Sequence, residues 1–353
     1  MLKTFFLQKE SFIKRVILSP LELISYLYGF FMSVRNLFYA SGLVKKVVLS
    51  SKVISVGNLT AGGSGKTPLV IKIASALAGD GKKGAVIAKG YKGSRVKDPL
   101  IVSDNGKILA SVYEASDEGI LLAEKLGRIP VVVGFNKCQA AMLAEEVFNP
   151  DFIVVDDGFQ HLKLSRNVDI VLIDKKNISS KNFLIPRGLF REPVKNLKRA
   201  DFVIVTGCNN SEKERTKESL FKITQAEIFF ANKKIAEAVN FATGESLGIK
   251  ELSNGNSFVF SSIAQPEQFH KLLEESGISI YNLKVYPDHY YYLESDIKEI
   301  VKEGEKVSFS ITTEKDIVKL KQAAIKNLFA ARLSMEIENM DRLIKHIKLK
   351  AGV

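Results

Sequence analysis

The chain lacks tryptophan and has two cysteines in 353 residues. Cys138 and Cys208 are too few and too far apart for a disulfide framework or a CxxC metal site, so reduced thiols in a cytosolic compartment are expected. No internal repeat and no low-complexity tract is present. No small-residue cleavage site follows an apolar h-region, which excludes a signal peptide. Acidic residues are scarce beside basic ones, 39 against 51, for a formal charge of +12. Such an excess calls for an anionic partner. With no RNA- or DNA-binding motif, nucleic acid is not the expected one. An anionic membrane surface is.

What is present is globular: 46% hydrophobic and 25% charged residues, in a chain longer than one core usually holds. The basic excess is concentrated at the start. Lys3, Lys9, Lys14, Arg15, Arg35, Lys45, Lys46 and Lys52 stand there against only Glu10 and Glu22. Ser19-Pro20-Leu21-Glu22 predicts a helix start, with Ser19 as N-cap, Pro20 at the first position and Glu22 closing a capping box. The helix continues through Tyr26, Phe30, Phe31 and Phe38 to about Gly42. Glu22, Arg35 and Asn36 keep it short of the ~20 apolar residues that a spanning helix needs. An amphipathic helix lying in a membrane surface, its lysines and arginines on headgroups, is the expectation.

Val53-Ile54-Ser55-Val56 reads as a buried strand, and Gly57 opens a glycine-rich loop ending Gly65-Lys66-Thr67. Leu69, Val70, Ile73, Ala76 and Leu77 then recur on one helical face. Strand, loop and helix in this order give a P-loop its mechanism. Backbone N–H groups ring a phosphate, aided by the helix dipole. Lys66 reaches the β/γ-phosphates and Thr67 binds Mg²⁺. The consensus glycine at position 60 is replaced by Thr60.

Apolar runs at 53–56, 85–88, 129–133, 152–155, 168–173 and 202–205, with helical stretches between several of them, predict a P-loop NTPase-like α/β fold. Its sheet is doubly wound and mainly parallel, with ligands at the strand C-termini. Runs at 258–260, 283–285, 307–311 and 333–337 predict a second, smaller α/β domain. The expected division is a membrane-associated helical segment at 1–50, a nucleotide-binding domain at 51–208 and a C-terminal domain at 209–353.

Asp156-Asp157-Gly158-Phe159-Gln160-His161 ends a strand where a P-loop protein carries its Mg²⁺-holding acid. His161 alone reads as a structural histidine. Asp117 precedes a helix and reads equally as a cap. Arg187 and Arg191 lie in a Pro/Gly-rich loop suited to phosphate. A GTPase is excluded, because Asn136-Lys137-Cys138-Gln139 lacks the aspartate that reads guanine.

In this order the motifs resemble one family, tetraacyldisaccharide 4′-kinase. The resemblance spans nearly the whole chain. It is carried by the SVGNLTAGGSGKTP loop at 55–68, Lys89-Gly90-Tyr91, Ser116-Asp117-Glu118-Gly119 and the stretch 156–161. The loop 188–193, Pro287-Asp288-His289 and Thr312-Thr313-Glu314-Lys315-Asp316 complete it. Thr60 is then the family's own variant. Lys89 departs from the family's usual arginine and Gly119 from its proline. The resemblance implies ATP-dependent phosphorylation of the 4′-hydroxyl of an acylated glucosamine disaccharide 1-phosphate, in lipid A biosynthesis. It implies ATP held by Thr60, Ala61, Gly62, Gly63, Ser64, Gly65, Lys66 and Thr67, and Asp117 and His289 as a catalytic pair beside Lys66. Mg²⁺ falls to Thr67, Asp156 and Asp157, with Gln160 and Glu118 behind them. Lys89, Tyr91, Arg187, Arg191 and Glu192 are left for the substrate. The place implied is the cytoplasmic face of the bacterial inner membrane. A membrane-associated P-loop ATPase acting on a protein partner is the alternative.

Overall fold

The computed structural model describes residues 12–62, 65–90, 99–178, 183–320, 325 and 327–353. Gly63, Ser64 and Tyr91 of the expected site lie outside them. Helix α1 (Phe12–Ala40) is followed by β1 (Lys52–Asn58) and α2 (Lys66–Ala78). Next come β2 (Gly84–Lys89), a hairpin of β3 (Leu100–Asp104) and β4 (Lys107–Ile108), and α3 (Val112–Leu126). The first lobe continues with β5 (Val131–Gly134), α4 (Lys137–Phe148), β6 (Phe152–Asp156), β7 (Val168–Asp174), β8 (Phe202–Thr206) and α5 (Lys213–Phe221). Strand β9 (Glu227–Asn240) leads on to β10 (Ser246–Gly248), β11 (Asn256–Ser261), α6 (Pro266–Glu275) and β12 (Ser279–Val285). The chain then forms α7 (Glu294–Gly304), β13 (Phe309–Thr313), β14 (Leu328–Ile337) and α8 (Met340–Ala351).

All the strands join one sheet, in the order β12-β11-β13-β14-β9-β8-β7-β1-β6-β2-β5-β3-β4, with β10 on β9. β5, β2, β6, β1, β7 and β8 are parallel. They are covered on both faces, which is why they read as nearly continuous apolar runs and not as alternating ones. One core lies beneath α2 and α3, and a second beneath α4. β9 belongs to both lobes. Its first residues pair parallel with β8 and the rest antiparallel with β14. The expected boundary at 208/209 falls ahead of this shared strand. α8 returns to the first lobe, where Leu343, Ile344 and Ile347 pack with Ile54, Val70 and Phe229.

The N-terminal helix begins earlier than its sequence signals indicate. Ser19 and Pro20 lie inside α1, so neither caps it. An internal proline forfeits one N–H···O bond, and here the helix runs through it. Glu22 accepts the Tyr26 hydroxyl at 3.2 Å and closes no capping box. The C-terminal stop is where expected, with Gly42 at φ +77 just past Ala40. One face of α1 docks on residues 183–191. Ser25 Oγ donates to the Leu184 carbonyl at 2.8 Å and accepts from Arg187 N at 3.0 Å, and Tyr28 donates to the Arg191 carbonyl at 3.0 Å. The other face is bare: Leu23, Leu27, Phe30 and Phe31 are each more than half exposed.

Candidate active site

The phosphate loop is set by close packing behind it. A Cβ on Gly57 would meet Phe159 Cβ at 2.5 Å, so only glycine lets β1 pass the 156–161 turn. Downstream, Ala61 N donates to Leu189 O at 2.7 Å and Arg191 N to Leu59 O at 2.7 Å, while Thr60 bridges Phe190. The first half of the loop is thus stitched to residues 189–191, and the Ala61 N–H is already used. Gly65, at φ +84, caps α2 and turns Lys66 and Thr67 into a cavity of about 570 Å³ between the lobes. Gly62, Lys89, Asp117, Glu118, Asp156, Asp157, Arg191 and His289 also line it.

Two carboxylates stand behind Lys66 with opposite electrostatics. Burial, helped by the nearby Glu118, pushes the Asp156 carboxyl up to about 6. Asp157 is also buried, but Lys66 at 3.1 Å and Arg191 at 2.6 Å outweigh that and hold it well below the usual carboxylate range. Lys137, 1% exposed, donates from Nζ to the Asp156 carbonyl at 2.7 Å. Asp156 Oδ1 is buried with no hydrogen-bond partner. Among the described residues no three of His, Cys, Asp and Glu form a ready-made metal cluster. An orphaned carboxylate oxygen on a residue that lines the same cavity as Thr67 fits Mg²⁺, which takes few protein ligands and completes its shell with phosphate and water. Gln160 donates to the Asn58 carbonyl at 2.9 Å and lies off the cavity.

The third component comes from both lobes. α3 breaks at Ser116, whose φ 72 and ψ 160 lie in a region that side chains rarely tolerate. Ser116 Oγ accepts from Gly119 N at 3.3 Å, so Ser116 and not Asp117 caps the resumed helix. The Asp117 carboxylate accepts from Glu118 N at 2.9 Å and meets His289 Nδ1 at 3.1 Å through both oxygens. His289 is itself at φ +59, in the turn after β12. Two lysines beyond the sequence-derived set support the pair. Lys319 Nζ lies 3.8 Å from Asp117 and 2.8 Å from the buried Asp316, and Lys315 bonds Glu118. The 312–316 motif pointed to this loop, but Lys319 lies beyond it and carried no signal of its own.

Burial raises the Asp117 carboxyl, but the His289 hydrogen bond and charge, with Lys315 and Lys319, hold it below its ordinary value. The same hydrogen bond raises His289 against the opposing effect of burial. His289, raised by the pairing, contributes stability that is complete below the unfolded histidine value of ~6.5 and fades as pH rises through the higher folded one. The depressed Asp117 contributes above its unfolded value and loses this as pH falls through its lower folded one. Asp117→Asn is expected to move the His289 titration, followed by its ring-proton NMR shifts, to lower pH. An unmoved midpoint would break the coupling.

Arg187 and Glu192 lie apart from the cavity. Arg187 is buried beneath α1 with its guanidinium 4.4 Å over the Phe183 ring. Glu192 is wholly buried, accepting from Asn196 and Arg199 at 2.7 Å each. Burial lowers His161 to about 4, so it is neutral near pH 7.

A phosphate loop facing a carboxylate–histidine pair across a cleft defines a P-loop phosphotransferase that activates a hydroxyl. The family model for tetraacyldisaccharide-1-P 4′-kinase (LpxK) matches residues 16–350. This chain therefore belongs to the tetraacyldisaccharide 4′-kinase family. The enzyme of that name from Halothermothrix orenii is 33% identical, over 95% of this chain and 91% of its own. The Syntrophus aciditrophicus enzyme is 37% identical, over 90% and 88%. LpxK from Aquifex aeolicus, solved in complex with ATP, is 32% identical with a TM-score of 0.76, over 95% of this chain and 99% of its own.

Proposed function

We propose that the protein is an ATP- and Mg²⁺-dependent kinase that phosphorylates the 4′-hydroxyl of an acylated glucosamine disaccharide 1-phosphate in lipid A biosynthesis. The observation that carries the reading is the Asp117–His289 pair, closed at 3.1 Å across the lobes and opposite the P-loop. The acceptor hydroxyl must lose its proton as its oxygen bonds to the γ-phosphorus and the bond to the bridging oxygen breaks. Asp117 receives that proton, and His289 orients the carboxylate. Lys66 and Arg191 leave Asp157 to follow charge onto the transferring group. Thr67, Asp156 and Asp157 would hold Mg²⁺, which would draw negative charge off the phosphates. The experiment is labelled ATP with detergent-dispersed acyl disaccharide monophosphate. A labelled lipid is expected. ATP turnover that ignores the disaccharide and needs a protein partner would favour the ATPase alternative.

The bare face of α1 supports attachment to the cytoplasmic face of the inner membrane. No helix among the described residues is long and apolar enough to cross. Phe30 and Phe31, 62% and 67% exposed, instead enter the acyl boundary as Lys45 and Lys46 meet headgroups. Deleting the helix would also strip the bonds holding residues 183–191, so the clean variant replaces Leu27, Phe30 and Phe31 by serine. Pelleting with anionic vesicles should fall about tenfold or more, given ~1.5–3 kcal/mol per buried side chain. KM for the lipid should rise and KM for ATP stay put. Unchanged pelleting would remove α1 from the membrane.

A further inference from the structure

Strand β9, shared by the lobes, carries two consecutive lysines on opposite faces. Lys234 points outward and pairs with Glu336. Lys233 points into the cleft and lines the cavity. A Cβ on Gly65 would stand 2.8 Å from Lys233 Cε and 3.4 Å from its Nζ. Met335, opposite Lys233 in the β9–β14 ladder, closes on the same glycine, its Cε 3.0 Å from that Cβ. The ammonium therefore sits against the last glycine of the phosphate loop, beside the N-terminus of α2. Burial pulls Lys233 below lysine's ordinary range; Asp174 opposes this, while Lys176 and Lys66 add to it. No carboxylate among the described residues pairs with it, whereas Lys66 is paired with Asp157. A half-buried positive charge, repelled by a neighbouring cation and seated on an anion-binding helix start, is complemented by a polyanion.

We propose that Lys233 is a second triphosphate-binding cation, supplied by the strand joining the lobes and not by the P-loop. The proposal rests on the ATP-binding reading given above. Two phosphates are at hand in that reaction, the nucleotide's and the acceptor's 1-phosphate. The seat on Gly65 favours the nucleotide, because that glycine begins the helix whose N–H groups cradle it. Because β9 is bonded to both lobes, nucleotide charge also acts directly on the strand about which they are joined.

The test is the Kd for ATP, by calorimetry on the full chain, in wild type, Lys233→Met, Lys233→Arg and Lys234→Met, with the lipid KM measured in parallel. Lys233→Met is expected to weaken ATP about ten- to a hundred-fold, the worth of a charge-assisted hydrogen bond. Lys233→Arg should stay near wild type. Lys234→Met, with the same loss of net charge, should leave Kd unchanged. Melting without nucleotide should be alike in all four. An unchanged Kd in Lys233→Met, with or without a raised lipid KM, overturns the proposal, as does a Lys234→Met defect of equal size. A wild type that binds no ATP would instead overturn the reading beneath it.

Discussion

Replacing Lys66 by alanine should lower kcat by about two orders of magnitude or more, the loss seen when a donor aimed at developing charge is removed. The fold should survive, for a reason visible in the cleft. Asp157 holds Arg191 at 2.6 Å as well as Lys66 at 3.1 Å, so the buried carboxylate keeps a cation after the substitution. A buried charge left with no partner would cost ~3–5 kcal/mol and unfold much of the sample. Labelled-lipid turnover and a melting curve on the same preparation separate the two effects. Near-normal turnover in a folded variant would mean that phosphoryl transfer occurs elsewhere.

Asp117 and His289 lie 172 positions apart and meet only through tertiary structure. If they act as one unit, each alanine variant should lose ten- to a thousand-fold or so in kcat, and the double variant little more than the worse single. Neither single strands a charge. Without His289, Asp117 still faces Lys319 at 3.8 Å, and without Asp117, Lys319 keeps Asp316 at 2.8 Å. Independent structural roles predict losses that add in the logarithm, and that outcome would dissolve the dyad.

The parts of the fold legible in sequence were those whose strands are buried on both faces. β6 and β8 announce themselves because no polar residue interrupts their apolar runs, and β1 and β7 do so with only Ser55 and Asp169 set among theirs. β9 escapes because Asn232, Lys233 and Lys234 break its apolar stretch where the strand leaves one lobe for the other. The β3–β4 hairpin had a usable signal, Asn105-Gly106, both at positive φ, between short apolar runs. Ser19-Pro20 misled because capping residues state a local preference that a long docked helix overrides. At the site, the motifs named Asp117, His289 and the acidic pair. Lys137, Lys233 and Lys319 stayed hidden, since a lone lysine in a string cannot be told from a solvated one until burial is known. Glu192 shows the converse: a charged residue in a phosphate-like loop that the fold encloses among Asn196, Arg199 and α1.

The return of α8 to the first lobe bears on how the protein is made. Leu343, Ile344, Ile347 and Ala351 complete an apolar floor whose other members, Ile54, Val70 and Val154, leave the ribosome far earlier. Domains generally finish in the order of their synthesis. Here the nascent nucleotide lobe waits with its underside open until residues 340–351 have been translated, a long interval in which a chaperone or a protease can find it. A truncation that spares every catalytic group but removes residues 340–351 would leave that interval permanent.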